Sequence, residues 1–224
     1  MVATLESRFP QVESFDVWSI IQAAGWPIWP LIFASVVALS LIFERIWSLR
    51  QSIVAPPGMV DRVLAEFKHG GVTQELLMKT ARQGPLGRVL AAGLANVKSP
   101  RPVMKEAIEE VGRIVSHDLA RFLTTLGTIA AMSPLLGLFG TVVGMIEIFG
   151  SQAPGGTNPQ QLAHGISIAL YNTAAGIAIS IPSLIFYRHF KNKVDGFVVL
   201  MEQAASKLID IVHGEREGIL SPAR

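Results

Sequence analysis

Two threonines, an asparagine and a serine are the groups on which this chain could rest any chemistry. Ser133 and Thr141 lie in an uncharged run from Phe122 to Ile146, and Asn172 and Thr173 lie in another, from Gly165 to Tyr187. A hydroxyl or amide in apolar surroundings offers water, an ion or a carboxylate a hydrogen-bond partner where hydrocarbon offers none. That is the chemistry of a polar route, not of bond making. Each threonine has a plainer reading too, in which its hydroxyl bonds a carbonyl of its own helix or joins two helices. Both stand on faces of small residues, which favours a shared pathway of Thr141, Thr173, Asn172 and Ser133. Asn172 itself faces either protein or solvent. Glu147 is a secondary candidate, directly after its uncharged run and one turn from the membrane edge, where a carboxylate at the interface is expected. No run carries an acid at mid-depth, so a proton-conducting role requires a carboxylate from a partner.

The sequence carries no enzyme signature. There is no P-loop, dinucleotide turn, nucleophile elbow or HExxH, so no catalytic residue is assigned. Cysteine is absent, which excludes disulfides and thiolate metal sites. The five histidines, His69, His117, His164, His189 and His213, are scattered, and neither a metal nor a cofactor is expected.

Elements that position these groups follow from composition. Half of the 224 residues are hydrophobic and only 16% are charged, against about 25% in soluble domains. The net charge of +2 gives no reason to expect nucleic acid. Three uncharged runs, Val17–Phe43, Phe122–Ile146 and Gly165–Tyr187, are each long enough for a membrane helix, which needs about 20 apolar residues. The chain therefore reads as an all-α polytopic membrane protein with three transmembrane helices in a lipid bilayer. In the second run Ser133, Gly137, Gly140, Thr141 and Gly144 share one side of a helix, and Gly140-x-x-x-Gly144 lets another helix approach closely. Gly165, Ala169, Thr173, Gly176 and Ser180 form a similar face in the third run. Pro134 and Pro182 loosen these helices and free carbonyls that water or a partner side chain can use.

Taken in order, residues 1–25 are a short tail, with a surface helix expected around Phe15 to Ile21, and 26–47 the first span. Trp18, Trp26 and Trp29 gather at one end and Trp47 at the other, while Glu44, Arg45 and Arg50 mark an exit into water. Residues 48–117 form a polar helical segment. Pro56-Pro57-Gly58 breaks the first helix, Val60, Val63, Leu64 and Phe67 make an amphipathic stripe, and short helices are expected at 73–82 and 86–97. Residues 118–150 belong to a long helix, reaching from about 102 to 149, that includes the second span. A loop at 151–163 and the third span at 164–187 follow. The C-terminal part, 188–224, carries a heptad seam of Phe190, Val194, Phe197, Met201, Ala204, Leu208 and Ile211. That seam packs either on its own chain or between copies. Lysine and arginine crowd residues 44–121 and 188–224 and are absent from 150–164. The positive-inside rule then puts the large segment and the C-terminus in the cytoplasm and the N-terminus outside.

The stretch Ser133-Pro134-Leu135-Leu136-Gly137-Leu138-Phe139-Gly140-Thr141-Val142-Val143-Gly144-Met145 closely resembles the second-span signature of the ExbB/TolQ/MotA proton-channel family. Gly165 to Gly176, running on to Ile181-Pro182, resembles its third-span signature. The Gly25-Trp26-Pro27 lead-in looks most like ExbB. The resemblance implies a homo-oligomer, usually a pentamer, in the bacterial inner membrane with a periplasmic N-terminus. It would surround helices of an ExbD-like single-span partner that supplies the membrane aspartate, and drive a TonB-like protein from the proton gradient. Thr141 and Thr173 match the family's pore-facing threonines. Many members have a glutamate five residues before the third-span threonine; here that residue is Ile168. The alternatives are a TolQ-like subunit for envelope maintenance and a membrane scaffold with no direct part in ion flow.

Overall fold

The computed structural model describes residues 21–22, 24–150 and 159–214. The expected N-terminal surface helix, most of the loop at 151–163 and the last ten residues lie outside them. The described residues form helices without strands: α1 (Ile28–Ser48), α2 (Gln51–Val54), α3 (Met59–Gly70), α4 (Gln74–Ala81), α5 (Pro85–Ala95), α6 (Arg101–Ala120), α7 (Leu123–Gly150) and α8 (Pro159–Val212). Three stretches are long and apolar enough to cross a membrane: Ile28–Ser48, Arg101–Gly150 and Leu162–Val212. The helix expected from 102 to 149 is divided into α6 and α7 by a turn at Arg121–Phe122, although Arg121 keeps helical backbone angles.

Local chemistry sets the boundaries. Gly25, Gly58, Gly71 and Gly84 take positive φ, the left-handed region that side chains disfavour. At Gly84 a Cβ would also strike the carbonyl of Ile53. The Thr73 hydroxyl accepts from the Leu76 N–H at 3.2 Å and caps α4, and Pro85 occupies the first turn of α5, where its missing N–H costs nothing.

The chain divides into two compact units. One holds the described residues up to Leu39 together with Gly127–Leu184. Its core gathers Ala24, Ile28 and Leu31 against Leu136, Ala175 and Ile179, so all three apolar runs contribute. Outside that core, Phe33, Val36, Leu135, Val142, Ile146, Leu170 and Ile181 are exposed, as lipid-facing or partner-facing side chains must be.

The other unit holds Ser40–Leu126 and the described residues from Ile185. Six seam residues of α8, from Phe190 to Leu208, are buried there, and Ile211 is partly buried. A Cβ on Gly93 of α5 would lie 2.7 Å from Leu208 Cδ2 and 2.9 Å from Ile108 Cδ1. The seam therefore packs on its own chain. Ion pairs trim the outside: Lys79 to Glu66 at 2.8 Å, Arg88 to Asp118 at 2.9 Å and Lys207 to Asp61 at 2.5 Å. All are exposed and contribute little individually.

Arg45 departs from its expected place in water. It is 4% exposed and its Nη1 donates to the Leu119 carbonyl at 3.0 Å. Leu119 is in the last turn of α6, where helical carbonyls lack intrahelical partners and a cation is favoured.

Candidate functional site

The small faces of α7 and α8 close on each other within one chain. A Cβ on Gly137 would stand 2.8 Å from the Asn172 carbonyl oxygen and 3.1 Å from Thr173 Cα. One on Gly144 would meet the Gly165 oxygen at 2.7 Å, and one on Gly176 would meet the Ser133 oxygen at 2.5 Å. Gly140 leaves room for the Asn172 side chain, and Gly165 for Ile148. Backbone meets backbone along about three turns, which only glycine allows. The α7 glycine face is therefore covered by α8.

Polar groups lie along this seam. Ser133 is fully buried and donates to the Ile129 carbonyl at 2.7 Å. Pro134 has no N–H for the carbonyl four residues back, that of Ala130. Ser180 of α8 donates to this same Ala130 oxygen at 2.6 Å, so the carbonyl freed by the proline is satisfied across the helix pair. The pattern of residues hinted at this, since Ser180 stands on the small face and Pro134 fixes which carbonyl is orphaned. Pro182 is exposed on α8.

Asn172 is fully buried. Its Nδ2 donates to the Ala24 carbonyl at 2.7 Å and to the Ile168 carbonyl at 2.8 Å, while Oδ1 has no partner. Two carbonyl acceptors fix the orientation of the amide, because only its nitrogen can donate to both. The amide thus clips the lead-in of the first span to the third. Next to it Gly25 turns the chain at φ 70°, and Trp26 meets Phe139 edge-on with ring centroids 6.0 Å apart. Nothing in the sequence pattern singled out Ala24 as the partner, since 148 residues separate the two.

Both threonines are partly exposed at the margin of the seam. Thr141 Oγ1 donates to the Leu138 carbonyl of its own helix at 2.6 Å. Thr173 Oγ1 reaches across to the Gly137 carbonyl at 3.4 Å, long for a hydroxyl bond and correspondingly weak. The hydroxyls do not bond each other, and Thr173 is the more easily redirected. Glu147 is exposed near the end of α7. Ile168, five residues before Thr173, is 2% exposed and lies near Gly25.

Comparison with known proteins agrees with this architecture. The profile of the MotA/TolQ/ExbB proton channel family matches residues 81–203, more than half of the chain. The chain is similar to biopolymer transport protein exbB1 of Vibrio cholerae, 32% identical over 171 residues, covering 73% of this chain and 74% of the relative. It is also similar to the putative biopolymer transport protein ExbB-like 3 of Synechocystis sp., 29% identical over 195 residues, covering 85% and 92%. A biopolymer transport protein ExbB of Helicobacter pylori is 40% identical over 79 residues, covering 35% and 54%. Three apolar helices, a glycine-lined helix pair with threonines at its margin and these likenesses place the chain in the MotA/TolQ/ExbB proton channel family, as a membrane transport energiser and not an enzyme.

Proposed function

We propose that this chain is the channel-forming stator subunit of a bacterial inner-membrane motor that uses the proton gradient to energise TonB-dependent outer-membrane transport. It assembles as a homo-oligomer, a pentamer on the family resemblance, around an ExbD-like single-span partner. The carrying observation is the combination of partly exposed Thr141 and Thr173 with spans that hold no mid-depth acid. The threonines offer hydrogen-bond positions at the rim of a closed helix pair, and the partner's aspartate supplies the proton carrier. The ExbB names of the relatives favour this role over a TolQ-like one. The N-terminus and the loop at 151–163 are periplasmic, and residues 48–117 and 188–224 are cytoplasmic.

Thr141→Val and Thr173→Val keep side-chain shape and remove the hydroxyl. Together they should lower proton flux through the complex reconstituted with its partner about tenfold, the equivalent of about 1.4 kcal/mol. Thr173→Val alone should account for most of the loss, because the Thr173 hydroxyl is the more weakly held. Wild-type flux in the double variant, with assembly intact, would refute the pathway. One observation favours a second reading, a scaffold without a part in ion flow: both hydroxyls already donate to carbonyls. Undiminished flux would support that reading.

A further inference from the structure

Besides the small-residue seam, one cluster brings together charges that the sequence holds 76 positions apart, at the edges of two apolar runs. Arg45 is the second charge after the first run, and Arg121 is the charge immediately before the second. Their guanidinium carbons lie 4.9 Å and 4.8 Å from the centroid of one ring, that of Phe122. Arg45 is buried and anchored on the Leu119 carbonyl, whereas Arg121 is exposed. The carboxylate beside them is Glu44, whose Oε2 is 2.9 Å from Arg45 Nε. The Nε hydrogen is not aligned with any acceptor, so this is proximity without a formed hydrogen bond. Asp118, one turn before Arg121, is engaged by Arg88 at 2.9 Å. Glu44 therefore stands against Arg45, while the exposed Arg121 guanidinium meets only the Phe122 ring among the described residues, and the cluster keeps an excess positive charge.

We propose that this cluster is a binding site for the phosphate of an anionic phospholipid headgroup. Two like charges drawn to one ring repel each other, and an anion on the exposed Arg121 would relieve that repulsion, with the buried Arg45 adding its field from behind the surface. Guanidinium N–H groups suit phosphate oxygens in a forked geometry. The cluster sits where both apolar runs end, which is headgroup depth for a chain that spans the bilayer. Exposed Phe43 and Trp47, on the last turns of α1, give acyl chains an apolar surface at the same depth, and Arg50 stands over the Trp47 ring at 4.7 Å as a further cation there. A basic site at this depth selects anionic lipid through charge and zwitterionic lipid far less.

Native mass spectrometry of the detergent-extracted protein, supplied with phosphatidylglycerol or phosphatidylcholine, tests the site. The wild type should retain phosphatidylglycerol in preference. Arg121→Gln, an exposed change that leaves the Arg45 anchor in place, should lower that retention about fivefold, as expected for one cation near the headgroup. Arg188→Gln, at the exposed edge of the third run, should change it little. Excess inorganic phosphate should not displace the lipid, because the acyl chains add to its binding. Equal retention of both lipids, no loss in Arg121→Gln, an equal loss in Arg188→Gln, or displacement by inorganic phosphate would each overturn a specific lipid site. None of these outcomes bears on proton flux through the threonines, so this test and that of the stator role fail independently.

Discussion

Ser180 and Pro134 show how a single side chain can make a proline tolerable inside an apolar helix. The proline removes the donor to the Ala130 carbonyl, and Ser180 replaces it from the neighbouring helix. Ser180→Ala should therefore cost about 0.5–2 kcal/mol in thermal or denaturant unfolding in detergent. Pro134→Ala restores an N–H for the same carbonyl. The Pro134→Ala, Ser180→Ala double variant should then be more stable than the sum of the single effects predicts, and strict additivity would show that the two residues do not share this carbonyl. Asn172 invites a similar test. It neighbours Thr173 along the expected pathway, yet it is fully buried and spends its amide nitrogen on Ala24 and Ile168. Asn172→Leu should lower stability by about 1–3 kcal/mol, through two carbonyls left without their side-chain donor. A variant as stable as wild type in the same unfolding assay would mean that the clip to Ala24 contributes nothing.

At the scale of elements, the glycine face of α7 is occupied by α8 of the same chain, so its substitutions act first on the fold of the subunit. Gly140→Ala brings a methyl against Asn172 Cβ, and Gly140→Leu brings a larger clash. Both should lower protease resistance and thermal stability of the subunit before they alter assembly. A variant with a fully stable subunit and smaller oligomers would place this face between copies instead. The α8 seam gives the complementary case. Leu208 is fully buried beside Gly93, and Leu208→Ala should cost about 2–5 kcal/mol by leaving a cavity in its own unit. That loss should be independent of protein concentration in unfolding measurements. A strong concentration dependence would reveal that copies share the seam.

For the whole molecule, the asymmetry of lysine and arginine sets the expected orientation. Accessibility tags at position 5 and within 152–158 should be labelled from the periplasm, and tags at 75 and 220 only after the membrane is opened. Cytoplasmic labelling at 152–158 would overturn the three-span topology.

The sequence by itself determined the class of this protein. Uncharged runs of sufficient length, sparse charge and small residues at helical spacing are local properties, and local patterns dictate helices and bilayer insertion whatever the chain does at long range. The short helices at 73–82 and 86–97 were legible for the same reason, since Thr73, Pro85 and apolar periodicity act within a few residues. Only the tertiary structure decided which partner each face takes. Small residues permit close approach without naming the helix that approaches, so the closure of α7 on α8 was open until both were in place. The seam of α8 carried a heptad pattern equally suited to its own chain or another copy, and packing beside Gly93 and Ile108 settled it. Arg45 reads in the sequence as a residue leaving the membrane. Its burial depends on the Leu119 carbonyl and the Phe122 ring, groups more than seventy residues away that no local pattern can bring to it.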